Sequence, residues 1–454
     1  MKNPIAKYLE RYAEQGTWTI RADTGEEIRN VVVIPALAEY PTLLATLHSL
    51  AKNDPYELCR TLVACVVNNR PYPQASQEDI ANNRQTLTIL EALQAKRAGE
   101  PDDSKERSHL EAIRRSALRL ALIDASSPGR ELPPHGGVGL ARKIGMDLSL
   151  ALLARQGAPE RCLLLSLDAD TLVEPGYLSA VSSYFDRSGD AAAVVSFAHR
   201  EGENRAMSDA IAYYEASLRY YVAGLRYARS PYAFHTIGST MVATARGYAL
   251  VRGIPKRLAA EDFYFLNKLA KVGTVGRIDR TTVHPSPRHS TRTPFGTGNK
   301  IGKLLQDESD PLLFYNPDIF PSIRVWLNLI AENTGADGQG LMTRAARIDP
   351  SFPAFLDRQD FPAIWRKLQD NFPDPGILRR QFHVWFDGLK TLKLVHYLTE
   401  NGYPKIPPVA ASLRLGSVIR RHVNAPDHAR PANIRDLPAY LESLEQAAQI
   451  RGAV

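Results

Sequence analysis

Residues 163–171 read LLLSLDADT, an apolar run that ends in two carboxylates separated by one residue. Short apolar runs bounded by polar residues are typical of buried strands, and side chains two apart on a strand point to the same face. Asp168 and Asp170 are therefore expected to face one way at the carboxyl end of a strand. Paired carboxylates bind hard cations such as Mg²⁺ or Mn²⁺, which in turn bind phosphate oxygens. The motif predicts a metal site that acts on a phosphorylated substrate.

The composition is that of a globular protein with a large core. The chain has 454 residues, of which 44% are hydrophobic, and no apolar run approaches the roughly 20 residues that span a bilayer. We therefore expect a cytoplasmic protein without a transmembrane segment, and peripheral contact with a membrane stays open. The 56 basic and 49 acidic residues are spread along the chain. Because a basic stripe is missing, no nucleic acid partner is expected.

Strand-like and helical patterns alternate in the first half of the chain. The four strand-like runs are 30–35 (NVVVIP), 62–68 (LVACVVN), 118–124 (LRLALID) and 162–168 (CLLLSLD), and helical patterns separate them around 42–52, 77–98 and 140–155. This alternation predicts an α/β fold with a mostly parallel sheet flanked by helices. Ligands bind beyond the carboxyl ends of such strands, where the polar residues Glu39, Asn68, Asn69, Asp124, Asp168 and Asp170 are expected to converge.

The strand signal fades after about residue 300, and helical patterns with apolar and aromatic faces follow, separated by proline-rich breaks. We therefore predict three parts: an N-terminal extension (1–29), an α/β domain (30–298) and a helical C-terminal domain (299–454). The three cysteines lie inside apolar segments without metal-ligand spacing, which indicates buried thiols.

Four segments, in this order, resemble the family-2 type nucleotide-sugar glycosyltransferases of the GT-A fold. They are 31–39 (VVVIPALAE), 137–143 (GVGLARK), 165–170 (LSLDAD), and Gly238-Ser239 followed by Glu261-Asp262. The resemblance covers roughly residues 30 to 295 and implies a GT-A type fold and glycosyltransferase activity. It further implies Mn²⁺ or Mg²⁺ as cofactor, a nucleotide-sugar donor and a sugar, lipid or small-molecule acceptor.

The resemblance also implies a set of donor-binding residues. They are Pro35, Ala36, Glu39, Asn68, Asp124, Gly139, Arg142 and Asp168. This chain departs from the family pattern at three places: Ala38 and Lys143 replace asparagine, and Asn68 stands where an acidic residue usually reads the base. The identity of the nucleotide therefore stays open, and so does the choice between ligand contact and a turn or cap role for Asp124.

The same resemblance implies the remaining site residues. Asp170, Asp168 and His284, with His289 as an alternative, are the expected metal ligands, and Arg288 and Arg292 are expected to contact phosphate. Gly238 and Ser239 correspond to the floor of the acceptor site. Asp262 is expected to be the base that removes the acceptor proton, and Glu261 to contact the acceptor. A base at this place implies inversion of the sugar, although some retaining GT-A families share the layout.

Two other functions fit parts of the sequence. Four apolar residues before Asp-x-Asp-Thr also resemble the first motif of haloacid-dehalogenase-like phosphatases, in which Asp168 would be the nucleophile. That family places the motif at the start of its domain, whereas here three strand-like runs precede it. The departures at Ala38, Lys143 and Asn68 also leave open a GT-A domain that binds a nucleotide without transferring a sugar.

Overall fold

The apolar runs of the sequence form one mixed sheet in a computed structural model of the protein. The structure describes residues 3–22, 28–97, 103–155, 157, 159–287, 312–423 and 430–449. Within these residues the sheet has nine strands: β1 (Ile20–Ala22), β2 (Asn30–Ala36), β3 (Thr61–Asn68), β4 (Arg119–Ala125), β5 (Leu163–Ser166), β6 (Leu172–Val173), β7 (Ala192–Phe197), β8 (Met241–Thr244) and β9 (Val275–His284). Their order across the sheet is β1-β4-β3-β2-β5-β8-β7-β9-β6.

Six strands of this sheet run in one direction. β4, β3, β2 and β5 form a parallel block, and β9 is parallel to β7. β8 lies antiparallel between β5 and β7, and β1 and β6 are antiparallel at the two edges. The predicted α/β class with a mostly parallel sheet is confirmed.

Helices cover the sheet, so the central strands are buried on both faces. The helices that belong with the sheet are α1 (Pro4–Arg11), α2 (Thr42–Ala51), α3 (Pro55–Cys59), α4 (Gln77–Gln94), α5 (Ser104–Arg115), α6 (Val138–Arg155), α7 (Tyr177–Phe185), α9 (Ala245–Leu250) and α10 (Glu261–Leu269). The helix between α7 and α9, α8 (Arg205–Tyr227), belongs to a second compact unit. All seven residues of β2 and all eight of β3 are buried. Strands buried on both faces are continuously apolar, which explains why these runs do not alternate with polar residues.

The strand that precedes the carboxylate pair is shorter than predicted. β5 ends at Ser166, and the backbone then turns, with Thr171 N donating to Asp168 O at 3.1 Å. Asp168 and Asp170 therefore lie on a turn beyond the sheet. The directions of the Asp168 and Asp170 side chains are therefore not set by the alternation of side chains along a strand. Their contacts with neighbouring residues set these directions instead.

The chain divides into two compact units. The first contains Met1–Arg200 and Thr236–Asn299, and the second contains Glu201–His235 and Lys300–Val454. The sheet belongs to the first unit, together with α1 and β1 of the predicted N-terminal extension. Residues 201–235, which the sequence reading placed in the α/β domain, lie in the second unit because α8 contributes Tyr220 to its core.

The second unit is helical, as predicted for the C-terminal part. Its described helices after α8 are α11 (Ile319–Glu332), α12 (Gly338–Ala345), α13 (Phe352–Asp357), α14 (Phe361–Asn371), α15 (Pro375–Trp385), α16 (Gly388–Glu400), α17 (Pro408–Val423) and α18 (Leu437–Gln449). Trp326, Trp365 and Phe382 pack edge to face at its centre. Among the residues that the structure describes, no helix is both long enough and apolar enough to cross a membrane.

Candidate active site

The carboxyl ends of β2, β3 and β4 lie side by side. Ala36 of β2 pairs with Val67 of β3, which in turn pairs with Asp124 of β4. Asn68, the last residue of β3, is buried. Ligands of open α/β sheets bind beyond this edge. The structure thus brings the predicted donor-side residues of three strands to one edge of the sheet.

Two asparagines of α4 hold the turn that follows β2. Asn83 Oδ1 accepts a hydrogen bond from Ala38 N at 2.8 Å, and Asn83 Nδ2 donates to Asn68 O at 3.0 Å. The Asn82 side chain both accepts from and donates to the backbone of Tyr40. Ala38 has a φ of 52°, a left-handed conformation that costs an L-residue roughly 1–2 kcal/mol. Sequence reasoning missed Asn82 and Asn83, because polar residues inside a helical pattern carry no sign of a distant backbone partner.

Asp124 organises the turn after β4. Its Oδ1 accepts from Ser126 N at 3.1 Å and from Ser127 N at 3.0 Å, and its Oδ2 lies 3.3 Å from Arg130 Nη1. Burial alone would raise the pKa of this carboxyl, but the hydrogen bonds from Ser127 and Ser126 outweigh it and lower the pKa. Asp124 is therefore held ionised in a turn, which leaves little of its acceptor capacity for a base or ribose.

A buried arginine joins the two predicted halves of the site. Arg142, in the first turn of α6, contacts Asp168 Oδ1 through Nη2 and Glu261 Oε1 through Nη1. The side chains of Arg142 and Glu261 are each 4% exposed, whereas that of Asp168 is 36% exposed. Burial lowers the pKa of Arg142, but Asp168 and Glu261 outweigh it and hold the pKa above its ordinary value. Two carboxylates thus share one guanidinium and leave a net negative charge in the cluster, and Asp168 still reaches solvent.

The predicted acceptor floor packs directly on this arginine. A Cβ atom on Gly238 would collide with the Arg142 guanidinium, so a larger residue here would displace the end of this arginine side chain. Ser239 is fully buried, and its Oγ has no hydrogen-bond partner among the described residues.

Gly139, at the start of α6, also supports a close approach. A Cβ atom there would lie 2.6 Å from Arg257 O and 2.7 Å from Pro255 O. The glycine therefore lets the first turn of α6 pack against the backbone that leads into α10. This packing helps to set Arg142, three residues further on, against Glu261.

Asp262 has the electrostatics of a base. It follows Glu261 at the start of α10, directly after Ala260, whose φ is 61°. Burial, followed by the neighbouring Glu261 carboxylate, raises the pKa of Asp262 to about 7, although Arg142 opposes the shift. Phe263 N donates to Asp262 Oδ1 at 2.7 Å. A carboxyl with a pKa near neutrality can take up a proton and release it at physiological pH.

The turn that carries Asp170 continues into β6, which pairs with the end of β9. Leu172 of β6 is the register partner of His284, so the histidine predicted to bind metal lies beside this turn. His284 Nδ1 lies 3.1 Å from Ala198 O and Nε2 lies 3.7 Å from Glu174 Oε1. Because a carbonyl oxygen only accepts, Nδ1 is the donor in its hydrogen bond to Ala198 O.

Two further residues support this turn and were not predicted. Arg200, beyond β7, donates through Nη2 to Asp170 O at 2.9 Å. Glu174 Oε2 accepts from Thr282 N at 2.9 Å and thereby ties the segment after β6 to β9. In the part of the chain that the structure describes, no three His, Cys, Asp or Glu side chains are grouped so as to hold a metal ion. Arg288, Arg292 and His289 lie outside the described residues.

Lys143 is part of a buried polar network. Its Nζ donates to Asp147 Oδ2 at 2.8 Å and to the Tyr8 hydroxyl at 2.6 Å. The hydroxyls of Tyr8 and Tyr248 donate to Asp147 Oδ1 at 2.5 and 2.6 Å. All four side chains are buried. Lys143, one of the three residues that depart from the pattern, thus connects α6 to α1, and Asp147 connects α6 to α9, so the lysine in place of asparagine has a structural explanation.

No protein-family model and no curated protein matches this chain. Among solved structures, the fold is similar to Staphylococcus aureus TarS 1-349 in complex with UDP-GlcNAc, with 13% identity and a TM-score of 0.35 over 93% of this chain and 91% of that chain. It is also similar to the mannosyltransferase PcManGT from Pyrobaculum calidifontis in complex with GDP-Man and Mn²⁺, with 14% identity and a TM-score of 0.34 over 99% of this chain and 94% of that chain.

These similarities concern the fold alone, given their low identities and TM-scores. One of the two structures contains a nucleotide sugar and the other is a mannosyltransferase complex with a nucleotide sugar and a metal ion.

Proposed function

We propose that the protein is a metal-dependent glycosyltransferase that moves a sugar from a nucleotide-sugar donor to a hydroxyl group of an acceptor, with inversion at the anomeric carbon. The observation that carries this proposal is the juxtaposition of two carboxylates through Arg142. Asp168, partly exposed at the carboxyl edge of the sheet, and Glu261, which precedes Asp262, contact the same guanidinium. A donor-side acid and an acceptor-side base are thus held in one cluster.

The base step follows from the electrostatics of Asp262. Its raised pKa, about 7, leaves part of the population ionised at neutral pH and makes the carboxylate basic enough to accept a hydroxyl proton. As Asp262 takes that proton, the acceptor oxygen forms a bond to the anomeric carbon. The bond from this carbon to the diphosphate oxygen breaks, and its electron pair leaves with the nucleoside diphosphate.

The neighbouring Glu261 is less suited to be the base. Its carboxylate is 4% exposed and bound to Arg142, and this ion pair holds the first residue of α10 in place. We therefore assign proton transfer to Asp262 and the support of the α10 start to Glu261.

The donor side is supported by the strand ends described above. The turn at Pro35, Ala36 and Glu39 is fixed by Asn83, and Asn68 closes the neighbouring strand. Asn68 Nδ2 donates to Val66 O, which leaves its Oδ1 as the acceptor for a base edge. We propose that this edge receives the nucleoside, with Asp168 at the ribose.

The residues beside Asp170 fit a divalent cation. A metal-bound histidine commonly donates its second ring N–H to a carbonyl oxygen, as His284 Nδ1 does to Ala198 O. Mg²⁺ sites often use one or two protein ligands, with the remainder supplied by substrate phosphates and water. We propose Asp170 and His284 as these ligands, whereas Asp168 already contacts Arg142. A bound Mn²⁺ or Mg²⁺ would stabilise negative charge on the departing diphosphate.

The deciding experiment offers the protein two classes of substrate. Purified protein is incubated with Mn²⁺ and a panel of nucleotide sugars, with water and a mixed glycan extract as acceptors, and in parallel with a panel of phosphate esters. We expect release of a nucleoside diphosphate from one donor. Release of inorganic phosphate alone would support the phosphatase, and calorimetric binding of a nucleoside diphosphate with no turnover of any donor would support a non-catalytic domain.

Three variants test the assigned roles. Asp262→Asn is expected to lower kcat by roughly 10²–10⁴-fold with little change in donor affinity. Asp170→Asn and His284→Ala are expected to raise the Mn²⁺ concentration that supports half-maximal turnover. Asp186→Asn, which removes an exposed partner of Arg29, is the matched control and should behave like the wild type. Wild-type turnover in Asp262→Asn would remove that residue from its role.

A further inference from the structure

Both terminal nitrogens of the Arg142 guanidinium already contact carboxylates inside the protein, and its Nε is buried without a hydrogen-bond partner among the described residues. Nη1 and Nη2 contact Glu261 and Asp168, and Gly238 packs against the group without space for a Cβ atom. With a side chain that is 4% exposed, the arginine presents little surface to a phosphate.

We infer that Arg142 is a positioning residue that fixes Asp168 and Glu261 in one buried charge cluster and thereby aligns the donor side of the site with Asp262. This inference rests on the proposed function, because it assigns a role within the same reaction. It replaces the sequence-based expectation that Arg142 itself binds the nucleotide sugar.

The geometry explains why an arginine is needed. Its planar fork can meet two carboxylates at once, whereas a lysine ammonium is a single point charge on a flexible stem. One carboxylate follows β5 and the other begins α10, so the fork joins two elements that are distant in sequence. Without the arginine, the carboxylates of Asp168 and Glu261 would repel each other. The start of α10, which carries Asp262, would also lose the ion pair that holds it in place.

The charged groups around Asp262 determine the pKa of its carboxyl. The groups that influence its carboxyl are Glu261 and Asp168, which raise the pKa, and Arg142, which lowers it, besides the backbone N–H of Phe263. Removal of the arginine charge should therefore move the titration of Asp262 to higher pH. A role in packing alone would not move it.

The test compares four variants with the wild type, using UDP-GlcNAc and GDP-mannose with Mn²⁺ as the probes and nucleoside diphosphate release as the readout between pH 5 and 9. Arg142→Met removes the charge, Arg142→Lys keeps the charge but not the fork, and Gly238→Ala keeps every charge while displacing the guanidinium. Arg155→Met removes an exposed arginine of the same helix and is the matched control.

We expect Arg142→Met to lower kcat by about 10²-fold, the order of loss that a displacement near 1 Å produces. Its rate profile should also shift upward by on the order of 1 pH unit, the scale of one charge at a separation of several ångström. Arg142→Lys should keep the wild-type midpoint with a reduced kcat, and Gly238→Ala should resemble it. Donor affinity, measured by calorimetry, should change far less than kcat in all of them.

A loss of donor affinity that matches the loss of kcat, with an unchanged pH midpoint, would identify Arg142 as a donor ligand and overturn the inference. If Arg142→Met does not fold, Arg142→Lys and Gly238→Ala still separate kcat from donor affinity. If the wild type turns over neither these donors nor any other nucleotide sugar, the proposed function fails. The charge cluster is then tested separately by the pH dependence of unfolding that arises from Asp262. This pH dependence must be unchanged in Arg142→Lys and must shift to higher pH in Arg142→Met.

Discussion

Replacement of Asp262 by asparagine should stabilise the protein in neutral and alkaline solution. The raised folded-state pKa, about 7 against an ordinary value of 3.8, means that the folded protein favours the protonated carboxyl. The stability that this group contributes is fully present below pH 3.8, declines as the pH rises toward 7, and is lost above it. Asparagine resembles the protonated carboxyl at every pH and avoids this loss.

The magnitude follows from the interval between the two pKa values. An interval of about three pH units corresponds to at most about 4 kcal/mol, at about 1.4 kcal/mol per unit. The hydrogen bond from Phe263 N is already among the causes that set this folded-state pKa, so it needs no separate correction. The gain should therefore approach, and not exceed, about 4 kcal/mol at pH 8 and be close to zero near pH 4.

Scanning calorimetry of both proteins at several pH values between 4.5 and 8.5 measures this difference. In a Trp18→Phe background, the fluorescence of Trp326, Trp365 and Trp385 provides an internal control, because these three residues lie in the second unit and Asp262 lies in the first. Asp186→Asn serves as the variant control. A stability difference between Asp262→Asn and the wild type that is absent at pH 8, or that does not vary with pH, would show that Asp262 titrates normally and would refute the argument from burial.

Three other substitutions probe the supporting structure by urea unfolding. Asp147→Asn should lower the free energy of unfolding by about 3–5 kcal/mol because it leaves the Lys143 ammonium buried without its counter-charge. If the double variant Lys143→Met/Asp147→Asn loses as much stability as Asp147→Asn alone, this reason is wrong. Ala38→Asn should gain about 0.5–1 kcal/mol, since asparagine tolerates the left-handed backbone better than alanine, and Ala38→Val should lose stability as the opposite control. Gly139→Ala should cost roughly 1–3 kcal/mol by forcing α6 away from the backbone at residues 255–257, and an unchanged unfolding midpoint would show that this contact relaxes freely.

The part of the fold that the sequence predicted is the part whose pattern is local. The runs at 30–35 and 62–68 are apolar throughout and became β2 and β3 almost unchanged, because both faces of these strands are covered. The short strand β8 was missed, since four residues between a 3-10 turn and α9 give no periodicity. Its antiparallel insertion between β5 and β7 is a property of the whole sheet.

The site shows the same division. Motif order predicts Asp168 and Asp262 as site residues, and the strand pattern predicts the edge of the sheet beyond which Asp168 lies. The ion pair of Arg142 with Glu261, 119 residues away, has no local signature in the sequence. The contact between Gly238 and Arg142 has none either. The sequence shows where the small and charged residues are. The tertiary contacts that explain why those residues are needed cannot be derived from one sequence.

The network around Lys143 has a consequence for how this chain can vary. Tyr8, Lys143, Asp147 and Tyr248 are buried and hydrogen-bond to one another, so a change at one position alone leaves a buried charge or hydroxyl without its partner. Related sequences should therefore exchange these four positions as a set, and the order in which the replacements arose is constrained. A single asparagine grafted at position 143 from a relative should be tolerated poorly unless position 147 is neutralised with it. Whether a substitution in α1 is tolerated thus depends on the residues present in α6, the helix that carries Arg142.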